Sequence, residues 1–102
     1  MHTKASDADI QSFLSRNPNW TFSDDGLQRS YRFADFVAAF GWMSQVALIA
    51  ERQGHHPEWR NVWAFVDVTL RTHDAGDVVT DADLQLADAM ERAASPLLQA
   101  TT

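Results

Sequence analysis

Residues 51–59 read ERQGHHPEW: an acid, a glycine, two adjacent histidines, a proline and a tryptophan. The stretch marks a change of structural period. From Ala34 to about Gln53 the spacing is helical, with Phe36, Phe40, Met43, Ala47 and Ala50 on one stripe and Val37, Ser44 and Leu48 at its edge. Gly54 is suited to the left-handed conformation that ends a helix, so Glu51 falls in the last turn and the histidines emerge just beyond it. Pro57 holds His56 in extended geometry. Trp59–Trp63 and Val66–Thr72 then read as strands, the second through the alternation of Val66, Val68 and Leu70 with Asp67, Thr69 and Arg71. The join near Ala64 and Phe65 carries no strong turn residue.

Working outward towards the N-terminus, Leu27, Arg29, Tyr31 and Phe33 alternate with polar residues, and Ser23–Gly26 (SDDG) separates them from Trp20 and Phe22. This predicts a first antiparallel hairpin. A tryptophan in a short strand is most simply core, although Trp20 could also wall a pocket. Ser6 and Asp9 form a capping-box pattern ahead of Ile10, Phe13 and Leu14, predicting a helix over Asp7–Arg16 that Asn17-Pro18 closes. Residues 1–5 show no pattern, and His2 is expected in a frayed end. On the far side, Asp74–Val79 is expected to be a loop. Thr80 and Asp83 make a second capping box, and the third helix buries Leu84, Ala87, Met90 and Ala94 before Ser95-Pro96 ends it.

The order is helix, two strands, helix, two strands, helix. It predicts one α+β domain over residues 1–102, a four-stranded antiparallel sheet with three helices on one face. At about 100° per residue, the central helix carries a second apolar stripe, Trp42, Val46 and Ile49, opposite the first. Two apolar faces need two partners. The expectation is that the first packs on the sheet and that Trp42, Val46 and Ile49 meet a second copy, with cover by another helix of the same chain as the competing reading.

Composition narrows the chemistry. There is no cysteine, which excludes disulfides, thiolate nucleophiles and thiolate metal sites. A net charge of −6 argues against nucleic acid as a partner, because that binding relies on basic surface. No stretch is apolar enough for a membrane span or a secretory signal, so no membrane partner and a cytoplasmic setting are expected.

Histidines therefore carry the functional reading. In a regular strand His55 and His56 would point to opposite sides, so a shared site needs the irregular backbone that Gly54 and Pro57 supply. His73, after the last strand, could complete it. Two imidazoles can hold opposite protonation states near neutral pH, which suits removal or addition of water at a carbon bearing nitrogen. Glu51 could orient a ring or stabilise its charged form. Zinc is the poorer reading, since adjacent histidines rarely converge on one ion and the spacing is not H-E-x-x-H. Loop or interface histidines with no chemistry are the other reading.

FADFVAAFGWMSQVALIAERQGHHPEW, then NVW, VDVTLRTH and TDADLQLA, resembles the pterin-4a-carbinolamine dehydratase family from about Trp20 to Ala94. The most specific part is E-x-x-x-H-H-P-x-W, with Trp63 and His73 downstream. The resemblance implies dehydration of 4a-hydroxytetrahydropterin to quinonoid dihydropterin, the recycling step that follows a pterin-dependent aromatic amino acid hydroxylase, with no metal and no other cofactor. It implies that His55 and His73 are the acid and base groups, that Glu51 is their supporting carboxylate and that His56 binds the pterin. Pro57, Thr72 and Trp20 fall at positions that line the family's pocket. It also implies a homodimer or homotetramer, the tetramer associating through the central helix. The alternative function is non-enzymatic, since animal members also act as dimerisation cofactors of a transcription factor. Two departures from the family stand out: Gly54 replaces an aspartate common in animal members, and the DAGDVV loop is about one residue longer.

Overall fold

The computed structural model describes residues 2–98. Helix α1 spans Asp7–Arg16, as the capping box predicts, and the Ser6 hydroxyl accepts the Asp9 N–H. Strands β1 (Thr21–Ser23) and β2 (Gly26–Arg32) form the first hairpin. Its two connecting residues, Asp24 and Asp25, both take positive φ (53° and 59°), as a tight two-residue turn of type I′ requires. Aspartate tolerates that region better than most residues.

Helix α2 covers Phe36–Gln53, two residues shorter at its start than the periodicity suggests, because the Asp35 carboxylate accepts the Ala38 N–H and caps it there. It ends at Gly54, whose φ of 68° lies in the left-handed region. Strands β3 (Glu58–Val62) and β4 (Phe65–Leu70) make the second hairpin. The missing turn signal comes from a side chain: the Asn61 amide donates to the carbonyls of Trp63 and Phe65 at 3.1 and 2.8 Å. Helix α3 (Asp81–Ala94) opens with both halves of the Thr80/Asp83 capping box formed and runs into a short 3-10 turn at Ser95–Leu97.

The sheet order is β1-β2-β4-β3, with every neighbouring pair antiparallel. Three helices cover one face of it, so the predicted α+β arrangement is the observed one. Leu27 pairs with Leu70, Arg29 with Val68 and Tyr31 with Val66 on the covered side. Helices α2 and α3 pack against each other, and the small residues Ala39 and Ala50 on one and Ala87 and Ala94 on the other are all buried.

Which face of α2 turns inward corrects the sequence reading. Trp42 and Val46 are fully buried and Ile49 is half-buried against the core. The Trp42 ring lies 4.5 Å from that of Tyr31 and 5.2 Å from that of Phe33, and its indole N–H donates to the Met90 carbonyl. These side chains are therefore not available to a second subunit. The exposed apolar stripe is instead Phe36, Val37, Phe40 and Leu48. The N-terminus also departs from expectation. Lys4 bridges to Thr80, the Ala5 N–H donates to Val79 and the Asp81 N–H to Thr3, which draws the first residues across the start of α3.

Candidate active site

The end of α2 and the start of α3 meet at His55. Its backbone N–H returns to the Ala50 carbonyl at 3.1 Å, part of the helix-ending geometry that Gly54 permits, and this turns the ring inward. His55 is 8% exposed, and its Nε2 lies 2.5 Å from Asp83 Oδ1. Asp83 is completely buried. Its other oxygen accepts the Thr72 hydroxyl at 2.8 Å and the Thr80 N–H at 2.9 Å. Thr80 Oγ1 sits 2.6 Å from Thr72 Oγ1; since Thr72 gives its proton to Asp83, Thr80 donates to Thr72.

A buried carboxylate surrounded by donors requires a proton on His55 Nε2, so that in the neutral ring the lone pair is on Nδ1. Asp83 thus selects the tautomer and the ring orientation, a role carboxylates play in acid–base sites generally. The sequence marked Asp83 only as half of a helix cap. Its second role depends on a contact across 28 residues that no local pattern encodes.

The other two histidines follow the same plan at the surface. His56 Nε2 lies 2.9 Å from Glu51 Oε1. His73 begins a short 3-10 turn, His73–Ala75, and its Nδ1 lies 2.6 Å from Asp77 Oδ1. Its Nε2 is 3.7 Å from Glu58 Oε2, beyond hydrogen-bonding distance. Each imidazole therefore has one nitrogen on its own carboxylate. Glu51 serves His56, and the partners of His55 and His73 are Asp83 and Asp77, which corrects the expected pairing of Glu51 with the acid and base groups.

His55, His56 and His73 line one open cavity of about 240 Å³ together with Gly54, Arg71 and Asp74. A larger hollow, about 460 Å³, lies over β1, β2 and β4 and contains Asn19, Gln28, Ser30 and Asp67 but no histidine. Its Asp67 is occupied by the Ser30 hydroxyl at 2.7 Å. Chemistry decides between the two, and only the smaller one gathers groups able to move protons at neutral pH.

Other expected site residues lie elsewhere. Thr72 is buried, its hydroxyl committed to Asp83, so it supports the site from behind rather than lining it. Pro57 is half-buried next to His56 and is not among the cavity-lining residues. Trp20 is core. It packs edge-on to Phe13 and Tyr31, and its indole N–H donates to Glu91 Oε1 at 2.6 Å. Glu91 is eight residues along α3 from Asp83, roughly 12 Å at the helical rise, which separates Trp20 from the histidines. Glu91 also accepts from Arg29 and from the Tyr31 hydroxyl at 2.8 Å. Burial, reinforced by this carboxylate, pushes the Tyr31 phenol well above its usual range, with Arg29 opposing.

Two residues near the histidines are not expected at the site from the sequence, where Arg71 reads only as part of the strand alternation and His2 as part of a frayed end. Arg71 enters the cavity wall, its Nε 3.4 Å from Glu58 Oε2, and its guanidinium lies over Gly26, where a Cβ would come within 3.1 Å of it. His2 packs edge-on to His55, ring centroids 5.7 Å apart, so it helps to cover the buried imidazole instead of lying apart from the cluster.

Comparison with known proteins gives a consistent set of matches. The family model described as Pterin 4 alpha carbinolamine dehydratase matches residues 3–93. A Rhizobium johnstonii protein carrying the name pterin-4-alpha-carbinolamine dehydratase is 49% identical over 88 residues, 84% of this chain and 86% of its own. One of the same name from Solibacter usitatus is 46% identical over 95 residues, 93% of this chain and 99% of its own. Among solved structures, a transcriptional coactivator/pterin dehydratase from Brucella melitensis superposes with a TM-score of 0.84 at 38% identity, covering 90% of this chain and 99% of the other.

Proposed function

The chain belongs to the pterin 4 alpha carbinolamine dehydratase family, and from that premise we propose that the three-histidine cavity is where the pterin loses water. The activity is that of a hydro-lyase, converting 4a-hydroxytetrahydropterin to quinonoid dihydropterin and water. The C4a–O bond breaks, the neighbouring ring nitrogen gives up its proton, and a C=N double bond forms between them. The departing oxygen takes a proton and leaves as water. One acid and one base therefore suffice.

The observation that carries the site assignment is that three imidazoles, two from the connection between α2 and β3 and one from the turn after β4, line one cavity, each with one nitrogen held by its own carboxylate. His55 is the base. Asp83 takes its Nε2–H, and the Nδ1 lone pair is left to receive the ring-nitrogen proton. His73 is the acid. Two thirds of its side chain is exposed, so after each turnover solvent can return the proton that it gives to the hydroxyl. His56, steadied by Glu51, binds the pterin at the rim, and Arg71 forms the wall beside it. The exposed Phe36, Val37, Phe40 and Leu48 support assembly of this chain into a homodimer or homotetramer. The cellular role is recycling of the pterin oxidised by an aromatic amino acid hydroxylase.

The test is the decay of freshly generated 4a-hydroxytetrahydropterin, followed by absorbance against the spontaneous rate. H55A and H73A should each slow the catalysed reaction by roughly two to four orders of magnitude with unchanged circular dichroism. Wild-type protein that does not exceed the spontaneous rate would remove the assignment.

A further inference from the structure

Between β4 and α3 the chain makes a short excursion whose two ends are tied together. Thr72 and Val78 form an antiparallel bridge, the Thr72 N–H donating to Val78 at 2.8 Å, and the Asp77 N–H returns to the Thr72 carbonyl at 3.0 Å. The five residues between carry His73 at one end and Asp77 at the other. Gly76 and Asp77 reverse the chain with φ of 94° and 59°. Gly76 has no Cβ to oppose this, but Asp77 does, and its left-handed backbone is a local cost held by the surrounding bonds. That backbone turns the Asp77 carboxylate back on to the His73 ring, Oδ1 to Nδ1, at 2.6 Å.

We infer that Asp77 is a positioning residue for His73: by holding the Nδ1–H it fixes the tautomer and turns Nε2 towards the cavity. The inference rests on the reading of His73 as a proton-transfer group. The other charged groups around His73 do not fill the role. Glu58, on β3, faces Nε2 from 3.7 Å and is engaged by Arg71 Nε at 3.4 Å, while Asp74 lines the cavity and makes no hydrogen bond to the His73 ring. A ring that is two-thirds exposed has few packing contacts to hold its orientation, so the hydrogen bond to Asp77 is what restrains it. The strained backbone at Asp77 is then retained because a relaxed loop would not aim the carboxylate.

The experiment separates positioning from structure because the substitution that removes the carboxylate also relieves the strain. D77G should lower kcat by roughly tenfold with KM changed less than about twofold, while the melting temperature holds or rises. In 15N NMR, neutral His73 should carry its proton on Nδ1 in the wild type and lose that preference in D77G. D77N keeps an accepting oxygen and should restore most of both kcat and the tautomer. H73A/D77G should be no slower than H73A alone, since the two act through one ring. Wild-type kcat or an unchanged tautomer in D77G, with H73A slow, overturns the role of Asp77 alone. A wild-type rate in H73A overturns the reading of His73 itself and this inference with it.

Discussion

Replacing Asp83 with asparagine tests whether the buried carboxylate sets the chemistry of His55 or merely caps α3. Three donors converge on Asp83: His55 Nε2–H, the Thr72 hydroxyl and the Thr80 N–H, at 2.5, 2.8 and 2.9 Å. The amide side chain of the D83N variant would present one oxygen and one NH2 group to the same three donors. If the oxygen stays with Thr72 and Thr80, the NH2 faces His55, whose Nε2 must then accept, and the proton moves to Nδ1. The nitrogen assigned as base becomes a donor. The catalysed rate should fall by roughly two to four orders of magnitude, the range that general acid–base catalysis contributes. Loss of charge-assisted bonds in a site with no solvent access should cost about 1–3 kcal/mol. For a domain of this size each kcal/mol lowers the melting temperature by roughly 4–8 °C. Stopped-flow dehydration kinetics, urea denaturation and 15N NMR of the His55 ring together give rate, stability and tautomer. T80A provides the control. It removes the capping hydroxyl and should cost about 0.5–2 kcal/mol, while Asp83 still holds His55. A D83N protein that loses stability but keeps wild-type kcat and a proton on His55 Nε2 would refute this role, for then Asp83 would be a cap and nothing more.

Two further outcomes follow from the core and from the outer face of α2. Tyr31 is the sole tyrosine, so tyrosinate absorbance reports it alone; its phenol is raised in the folded state, so its contribution is intact below the unfolded value near 10 and falls by about 1.4 kcal/mol per pH unit above it. Tyrosinate should therefore appear only together with alkaline unfolding, and reversible titration near pH 10 in folded protein would contradict the buried Tyr31–Glu91 contact. F40E should dissociate any assembly in sedimentation while the fold persists, whereas W42E should fail to fold, since emptying a buried tryptophan site alone costs about 3–5 kcal/mol. An F40E protein that sediments as the wild type would remove the Phe40 stripe as an interface.

The contrast between Phe40 and Trp42 shows where sequence reading reaches its limit. The Ser6 cap of α1, the Thr80/Asp83 capping box, the glycine stop at Gly54 and the strand alternation around Val66–Leu70 are local, and each was legible because a cap, a positive φ or a period of two depends on near neighbours. The orientation of α2 is not local. Both of its stripes are apolar, and the outer one is richer in phenylalanine, so hydrophobicity favoured the wrong face. Residue size carried the missing clue. Ala39 and Ala50 flank Trp42 and Val46 on the inner stripe, and α3 offers alanines in return, so two helices can approach closely around one large indole. The same limit applies to the site. The histidines could be picked out by type, but Asp83 could be assigned to His55 only once α3 was placed beside the end of α2, and Asp77 to His73 only once the irregular backbone of the loop between them was known.

Those carboxylates explain why a small, acidic chain can hold three histidines so close together. With no metal ligation invoked, like-charged imidazoles crowded round one cavity would repel whenever more than one was protonated. Asp83, Glu51 and Asp77 each give one ring a counter-charge and a fixed proton position, so the rings need not share one environment. Their surroundings in fact differ. Asp83 is fully buried and His55 nearly so where the ends of α2, α3 and the N-terminal segment meet, whereas Asp77 and His73 stand in solvent on a five-residue excursion. In the proposed reaction that asymmetry would let the shielded His55 keep its lone pair for the substrate while the open His73 has its proton renewed from water. The helix stop at Gly54 is what divides the two environments. It sends the His55 ring inward to Asp83 and leaves His56 exposed beside Glu51, so adjacent residues line one cavity from different surroundings.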